Sequence, residues 1–172
     1  MRAFVFLHDG AVDFLTSTSW PTPRGDEPGD WVESRFVCAV DDLVWWFDEE
    51  LWEVELDGET TTERRRIRAE RARLVRRIDA WTPQAAHEFV EACAARVRDL
   101  PTTLDRATLD GFTADVVGYA SEAAAAAEGA GVGGYVAAHA VAGGDKRAEG
   151  YAERFEEERA WQVAWLRHRL RL

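Results

Sequence analysis

The chain is poor in the residues that would mark several common classes of protein. It has two cysteines, one methionine, one lysine and five prolines among 172 residues. Two cysteines, Cys38 and Cys93, do not make a disulfide framework, and both read as small buried apolar residues. No stretch approaches the ~18 uninterrupted apolar residues of a membrane span. The start, MRAFVFLHDGAVDF, lacks the length and the small-residue cleavage site of a signal peptide. A cytoplasmic protein with no membrane partner is therefore expected. Excess positive charge is missing too. The net charge is −11, which argues against binding nucleic acid or an anionic membrane.

Catalytic signatures are equally scarce. Ser17, Ser19 and Ser34 have no G-x-S-x-G context. The glycine-rich run Gly129–Gly134 follows no strand and lacks the Lys-Ser/Thr of a phosphate loop, so it reads as a connector between helices. His87 and Glu91 stand four apart on one expected helix, but HEFVE is not the H-E-x-x-H zinc pattern, and two ligands do not make a metal site. No metal and no cofactor are expected. His8-Asp9 reads as a solvated turn. His139, in YVAAHAVA, reads as a packed histidine bonded to a neighbour.

What the chain does have is tryptophan and arginine in an uneven pattern of charge. Residues 1–60 carry net −12 and residues 61–172 net +1. All basic residues but Lys146 are arginine, a bias of genome composition rather than of function. Val40–Gly58, VDDLVWWFDEELWEVELDG, sets three tryptophans among eight carboxylates. Its first part, from Asp41 as cap, places Leu43, Trp46, Phe47 and Leu51 on a helical stripe. In its second part Trp52, Val54 and Leu56 alternate with Glu53, Glu55 and Asp57, as in a half-buried strand. The arginine run Arg64–Ile78 reads either as a helix or as a strand returning after GETTTE. The strand is preferred. It sets Arg64, Arg66 and Arg68 opposite Glu53, Glu55 and Asp57, with Ile67 and Ala69 inward, and opposite charges across a ladder stabilise by ~0.2–1 kcal/mol per pair. A slip after Arg71 then turns Ala72, Leu74 and Ile78 inward.

Nearer the start of the chain, Ala3–Leu7 and Val12–Thr18 flank an Asp9-Gly10 turn as a hairpin. Ser19–Trp31, with three prolines, is a loop pinned by the tryptophans at its ends. Arg35–Val40 is a further strand. Helices are expected from Thr82-Pro83, across Leu104–Gly129, over Tyr135–Ala142 and over Ala148–Leu170. The fold class is α+β: a β-rich part, residues 1–80, built of antiparallel hairpins, packed on three to four helices over residues 81–172, with one shared core.

Several stretches, SWPTPRGDEPGDWVES, DEELWEVELDGE and RARLVRRIDAW, together resemble a group of actinobacterial proteins with no assigned activity. The resemblance spans roughly residues 1–100. It implies a β-rich front half with helices behind, and so favours the strand reading of the arginines. The group's middle motif is C-x-S-G-x-H-A-C followed by D-L-x-x-W. Here RFVCAVDDLVWW keeps Cys38 and lacks its glycine, histidine and first cysteine.

Two candidate surfaces remain. Trp20, Arg24, Trp31 and Trp45 would line a groove for a planar or apolar ligand. Trp161 and Trp165 lie on the last helix, and Trp161 falls outside the stripe of Tyr151, Phe155, Gln162 and Leu166, which leaves a homodimer interface or a monomer whose preceding helices wrap both faces. The favoured function is a non-catalytic cytoplasmic binding or protein-interaction protein using the Trp/Pro loop or the last helix. The alternative is a small-molecule enzyme with a cleft between sheet and helices, with Arg24, His8 or His139 among its polar groups.

Overall fold

The computed structural model describes residues 2–13, 16–99, 104–123 and 125–172. The fold is α+β, with two compact units, Met1–Thr82 and Pro83–Leu172. The first holds β1 (Ala3–Leu7), β2 (Val32–Val37), a 3-10 helix (Val40–Trp45), β3 (Glu50–Glu63) and β4 (Arg66–Arg77). The second holds α1 (Pro83–Asp99), α2 (Arg106–Ala123), α3 (Glu128–Val141) and α4 (Tyr151–Leu170). Among the described residues no helix is long and apolar enough to cross a membrane.

The sheet is antiparallel in the order β1-β3-β4-β2. Its outer strands meet where Phe4 and Cys38 exchange both backbone hydrogen bonds, at 2.9 and 2.8 Å, so the sheet is rolled. Alternation then decides what is buried. Ala3, Val5 and Leu7 of β1, Val37 of β2, Trp52 and Val54 of β3, and Ile67, Ala69, Ala72 and Leu74 of β4 form one core. On the other side of β1, Phe6 packs against Phe47 and Trp81, each at 5.4 Å, and those two rings stack at 5.1 Å.

The arginine run is a strand. Its register differs from the expected one. Glu53 pairs with Arg76, Glu55 with Arg73 and Asp57 with Arg71. GETTTE does not turn; it extends β3, and the chain reverses at Arg64-Arg65. Three β-branched threonines suit an extended strand, which outweighed the turn signal of the single glycine. The acidic side of β3 still meets arginines: Arg73 bonds Glu55 at 2.6 Å, Arg71 bonds Asp57, and Glu53 lies between Arg2 and Arg76, both at 2.7 Å. The inward residues of β4 step from Ala69 to Ala72, so the anticipated slip occurs, opposite the irregularity between Asp57 and Thr60.

Glu53 carries a pH consequence. Arg2, and then Arg76, favour its carboxylate and hold its pKa below the ordinary glutamate range, against the burial that opposes them. The folded pKa is thus the lower one, so the stabilisation is complete above ~4.3 and fades as pH falls through the lowered value. Glu53→Gln should flatten the acid limb of a stability-versus-pH curve below ~4.3; an acid limb as steep as that of the parent would contradict the pairing.

Other expectations need correction. The described residues of Val12–Thr18 form no strand: Val12 makes single bridges to His8 and Ser19, and Phe14 and Leu15 lie outside the described residues. β1 pairs with β3 instead. The Asp9-Gly10 turn does form, closed by His8 and Val12. The segment after Val40 is one short 3-10 helix, without a side-chain cap from Asp41, and β3 takes over at Glu50. The run Gly129–Gly134 is inside α3. The four glycines of this run cost a helix about 1 kcal/mol each, and packing explains the last two. A Cβ at Gly133 would stand 2.7 Å from Val90 Cγ1, and one at Gly134 2.9 Å from the Phe89 ring. The glycines let α3 approach α1 closely.

Within the helical unit, the buried polar groups of α4 hydrogen-bond to one another, to α1 and to α3. Glu158 accepts from Arg96 at 2.7–2.9 Å. Arg159 donates to Gln162 at 2.8 Å, and Gln162 donates to the Gly134 carbonyl at 2.9 Å. Burial pushes the Glu158 carboxyl up despite Arg96, whose guanidinium opposes the shift. Cys38 and Cys93 are both buried and free, and burial pushes both thiols up.

Candidate functional site

The tryptophans of the first unit do not gather around one groove. Trp20, Trp31, Trp45 and Trp46 lie against different arginines. Arg65 stands 4.2 Å above Trp45 and Arg66 3.9 Å above Trp46. Arg73 and Arg71 cover Trp31 at 4.5 and 5.6 Å. Such contacts contribute about 0.5–2 kcal/mol according to exposure. Arg65 and Arg71 are six residues apart, ~20 Å along an extended chain, so Trp45 is held beside the start of β4 and Trp31 beside its middle. Arg24 is exposed in the loop, where its backbone bridges to Glu27. Of the four expected ligand residues, Trp20 alone is buried, at 3% exposure.

Trp20 is fixed by the loop expected to be pinned. Its backbone N–H donates to Ala11 at 2.9 Å. At the other end of the loop, Gly29 donates to the Leu74 carbonyl at 2.9 Å and lies directly against Pro21. Trp20 thereby joins the core formed by the rolled sheet. Arg35 of β2 shares the strand face of Val37, two residues on, and its guanidinium carbon lies 5.6 Å from the Trp20 ring centre. One of its terminal nitrogens donates to the Glu33 carbonyl at 2.8 Å.

Two donors at this place have nothing to bond. Trp20 Nε1 and Arg35 Nε are both buried and have no acceptor among the described residues. A buried donor without a partner costs ~1–3 kcal/mol, and native structures hold few of them. Here both belong to side chains in contact, the Arg35 guanidinium carbon lying 5.6 Å from the Trp20 ring centre, and one belongs to a cation. The sequence singled out Trp20; it gave no signal for Arg35, whose inward direction depends on the register Arg35↔Ala69.

The histidines divide. His87 donates from Nδ1 to the Ala120 carbonyl at 2.8 Å, which ties α1 to α2. His139 shares a 2.8 Å hydrogen bond with the Tyr151 hydroxyl and meets Phe112 edge-on, a packed histidine as expected. Burial lowers its pKa, with Lys146 adding to the effect. His8 lies within reach of two carboxylates, Asp48 and Glu49, which no sequence spacing suggested.

On α4, Trp161 is not left over. Arg96 lies 4.2 Å above its ring, and Trp165 meets Phe89 edge-on at 5.6 Å. Both are half-buried within the chain itself. Comparison with family models, with curated proteins and with solved structures finds no match to this chain.

Proposed function

We propose that the N-terminal unit is a non-catalytic binding module, acting in the cytoplasm, whose ligand presents a carboxylate or carbonyl oxygen to Trp20 and Arg35 under the Trp/Pro loop. The single observation behind this reading is the pair of buried, unmatched donors, Trp20 Nε1 and Arg35 Nε. Both groups donate and neither accepts. Arginine stays protonated, so the pair can hold an oxygen and cannot take up a proton. That favours binding over acid–base catalysis. The guanidinium further favours a charged oxygen, since charge-assisted hydrogen bonds are roughly twice as strong as neutral ones. In this reading the exposed Arg24 of the loop Ser19–Trp31 would meet the outer part of an acidic ligand. The last helix is given no partner in this reading, because Arg96 and Phe89 already cover its two tryptophans.

The test follows the Trp20 indole N–H by nuclear magnetic resonance, assigned with Trp20→Phe. Sodium acetate, N-acetylglycine and inorganic phosphate are titrated into the full chain. Binding predicts a saturable downfield movement of that one indole signal with a carboxylate, strongly reduced in Arg35→Gln. An indole signal unmoved by all three probes would show that the donors are satisfied by water and would end the reading.

A further inference from the structure

A second cluster in the N-terminal unit is of a different chemistry. His8 ends β1's neighbourhood, one residue past Leu7, and Asp48 and Glu49 immediately precede β3. The pairing Leu7↔Glu50 therefore brings them together. One donor atom from each of the three lies within 4.8 Å of the other two. His8 Nδ1 is 3.5 Å from Asp48 Oδ1 and 3.3 Å from Glu49 Oε2. We propose that His8, Asp48 and Glu49 bind a divalent transition-metal ion of the zinc or manganese class, with a fourth position left to solvent.

Spacing, burial and fixation of the three side chains all fit such an ion. Bonds of ~2.0–2.1 Å from a tetrahedral ion set its ligand atoms ~3.4 Å apart. Both His8 distances match that edge. A direct imidazolium–carboxylate hydrogen bond would be shorter, ~2.7–2.9 Å, and a single N–H would aim at one oxygen. His8 Nδ1 instead stands at similar, long distances from two.

The second is burial. Asp48 is 7% exposed. A buried carboxylate needs a cation, and among the described residues the basic group recorded beside it is His8 alone. Burial accordingly pushes the Asp48 carboxyl up, with the Glu49 N–H and His8 opposing. A metal ion would supply the missing positive charge to both carboxylates at once.

The third is fixation. The Glu49 N–H donates to Asp48 Oδ1 at 2.8 Å, and the Asp9 N–H donates to Glu49 Oε2 at 2.7 Å. Each oxygen keeps a second lone pair for a metal. The Asp48 carbonyl accepts the Trp81 indole N–H at 2.8 Å, and the His8 backbone is clamped to Val12 in both directions. The ligands are thus held before any ion arrives, as outer partners hold them in known metal sites. One imidazole with two carboxylates is a borderline-to-hard set, suited to Zn²⁺ or Mn²⁺ and, because of the nitrogen, less to Ca²⁺ or Mg²⁺.

The test uses the full chain freed of metal by chelation, with ZnCl₂ and MnCl₂ as probes and CaCl₂ as the hard-ion control. Calorimetry should show one equivalent of Zn²⁺ or Mn²⁺ bound. Binding should weaken at least ~10–100-fold in His8→Ala and in Glu49→Gln, with circular dichroism unchanged, and stay as in the parent in His168→Ala. The His8 ring resonances should move with added Zn²⁺. No binding, or binding that His8→Ala and Glu49→Gln leave intact, would overturn the site; the second result would place the ion elsewhere. Glu49→Gln keeps the conclusion independent of any folding defect in His8→Ala.

Discussion

Phe89→Ala should destabilise the C-terminal unit by about 3–5 kcal/mol, the range for removing a buried phenylalanine. Phe89 is fully buried on α1. Its ring fills the space opposite Gly134 of α3 and meets Trp165 of α4. The vacated space would be bounded on the α3 side by a glycine, which has no side chain to move in, so collapse is limited. Against a typical total of 5–15 kcal/mol, a unit at the low end would keep only about 0–2 kcal/mol. Gly134→Ala should also destabilise, by ~1–3 kcal/mol, because its Cβ would stand 2.9 and 3.1 Å from two ring carbons and 3.3 Å from Gln162 Oε1. In the Phe89→Ala background that penalty should shrink, since the ring is gone. Denaturant melts followed by helical circular dichroism give all four corners of the cycle. Strict additivity, or a Phe89→Ala loss under ~1 kcal/mol, would contradict this packing.

Gly29→Ala should release the loop that carries Trp20. A Cβ there would stand 2.1 Å from the Pro21 carbonyl oxygen and 3.1 Å from its carbon. These are backbone atoms, so no rotamer change relieves the clash, and one of the two chain segments must move. Gly29 is also hydrogen-bonded to Leu74 in the middle of the core. A loss of about 3 kcal/mol is expected, at the upper end for overpacking, together with faster trypsin cleavage at Arg24 and a solvent-shifted Trp20 emission. Parent-like cleavage kinetics would show that the loop tolerates the methyl group.

How much of this was legible beforehand depends on the range of the determinants. The strand at Arg66–Arg77 was legible because charge and apolar alternation face the same way as in Glu50–Asp57. Its register was not: strand propensity in Thr60–Thr62 moved the turn to Arg64-Arg65, and pairwise charge matching holds for more than one alignment. Gly129–Gly134 misled because glycine is a poor helix former in isolation, while the gain at Phe89 and Val90 comes from another helix. Trp20 was legible as an anchored aromatic. Arg35 and the trio His8, Asp48 and Glu49 were not, since their proximity comes from β1–β3 and β2–β4 pairing across dozens of residues.

The meeting of Phe4 with Cys38 has a consequence for solubility. An open four-stranded sheet offers two rims of unpaired peptide groups on which a second chain can add, the route to ordered aggregates. Here one rim partly satisfies the other. The stretch of β2 that stays outside the contact carries Glu33, Ser34 with φ at 51°, and Arg35. Charge and a kink both discourage a flat addition there. Native protein held at high concentration should thus be a poor seed for fibrils, and chains that do assemble would first have to unroll.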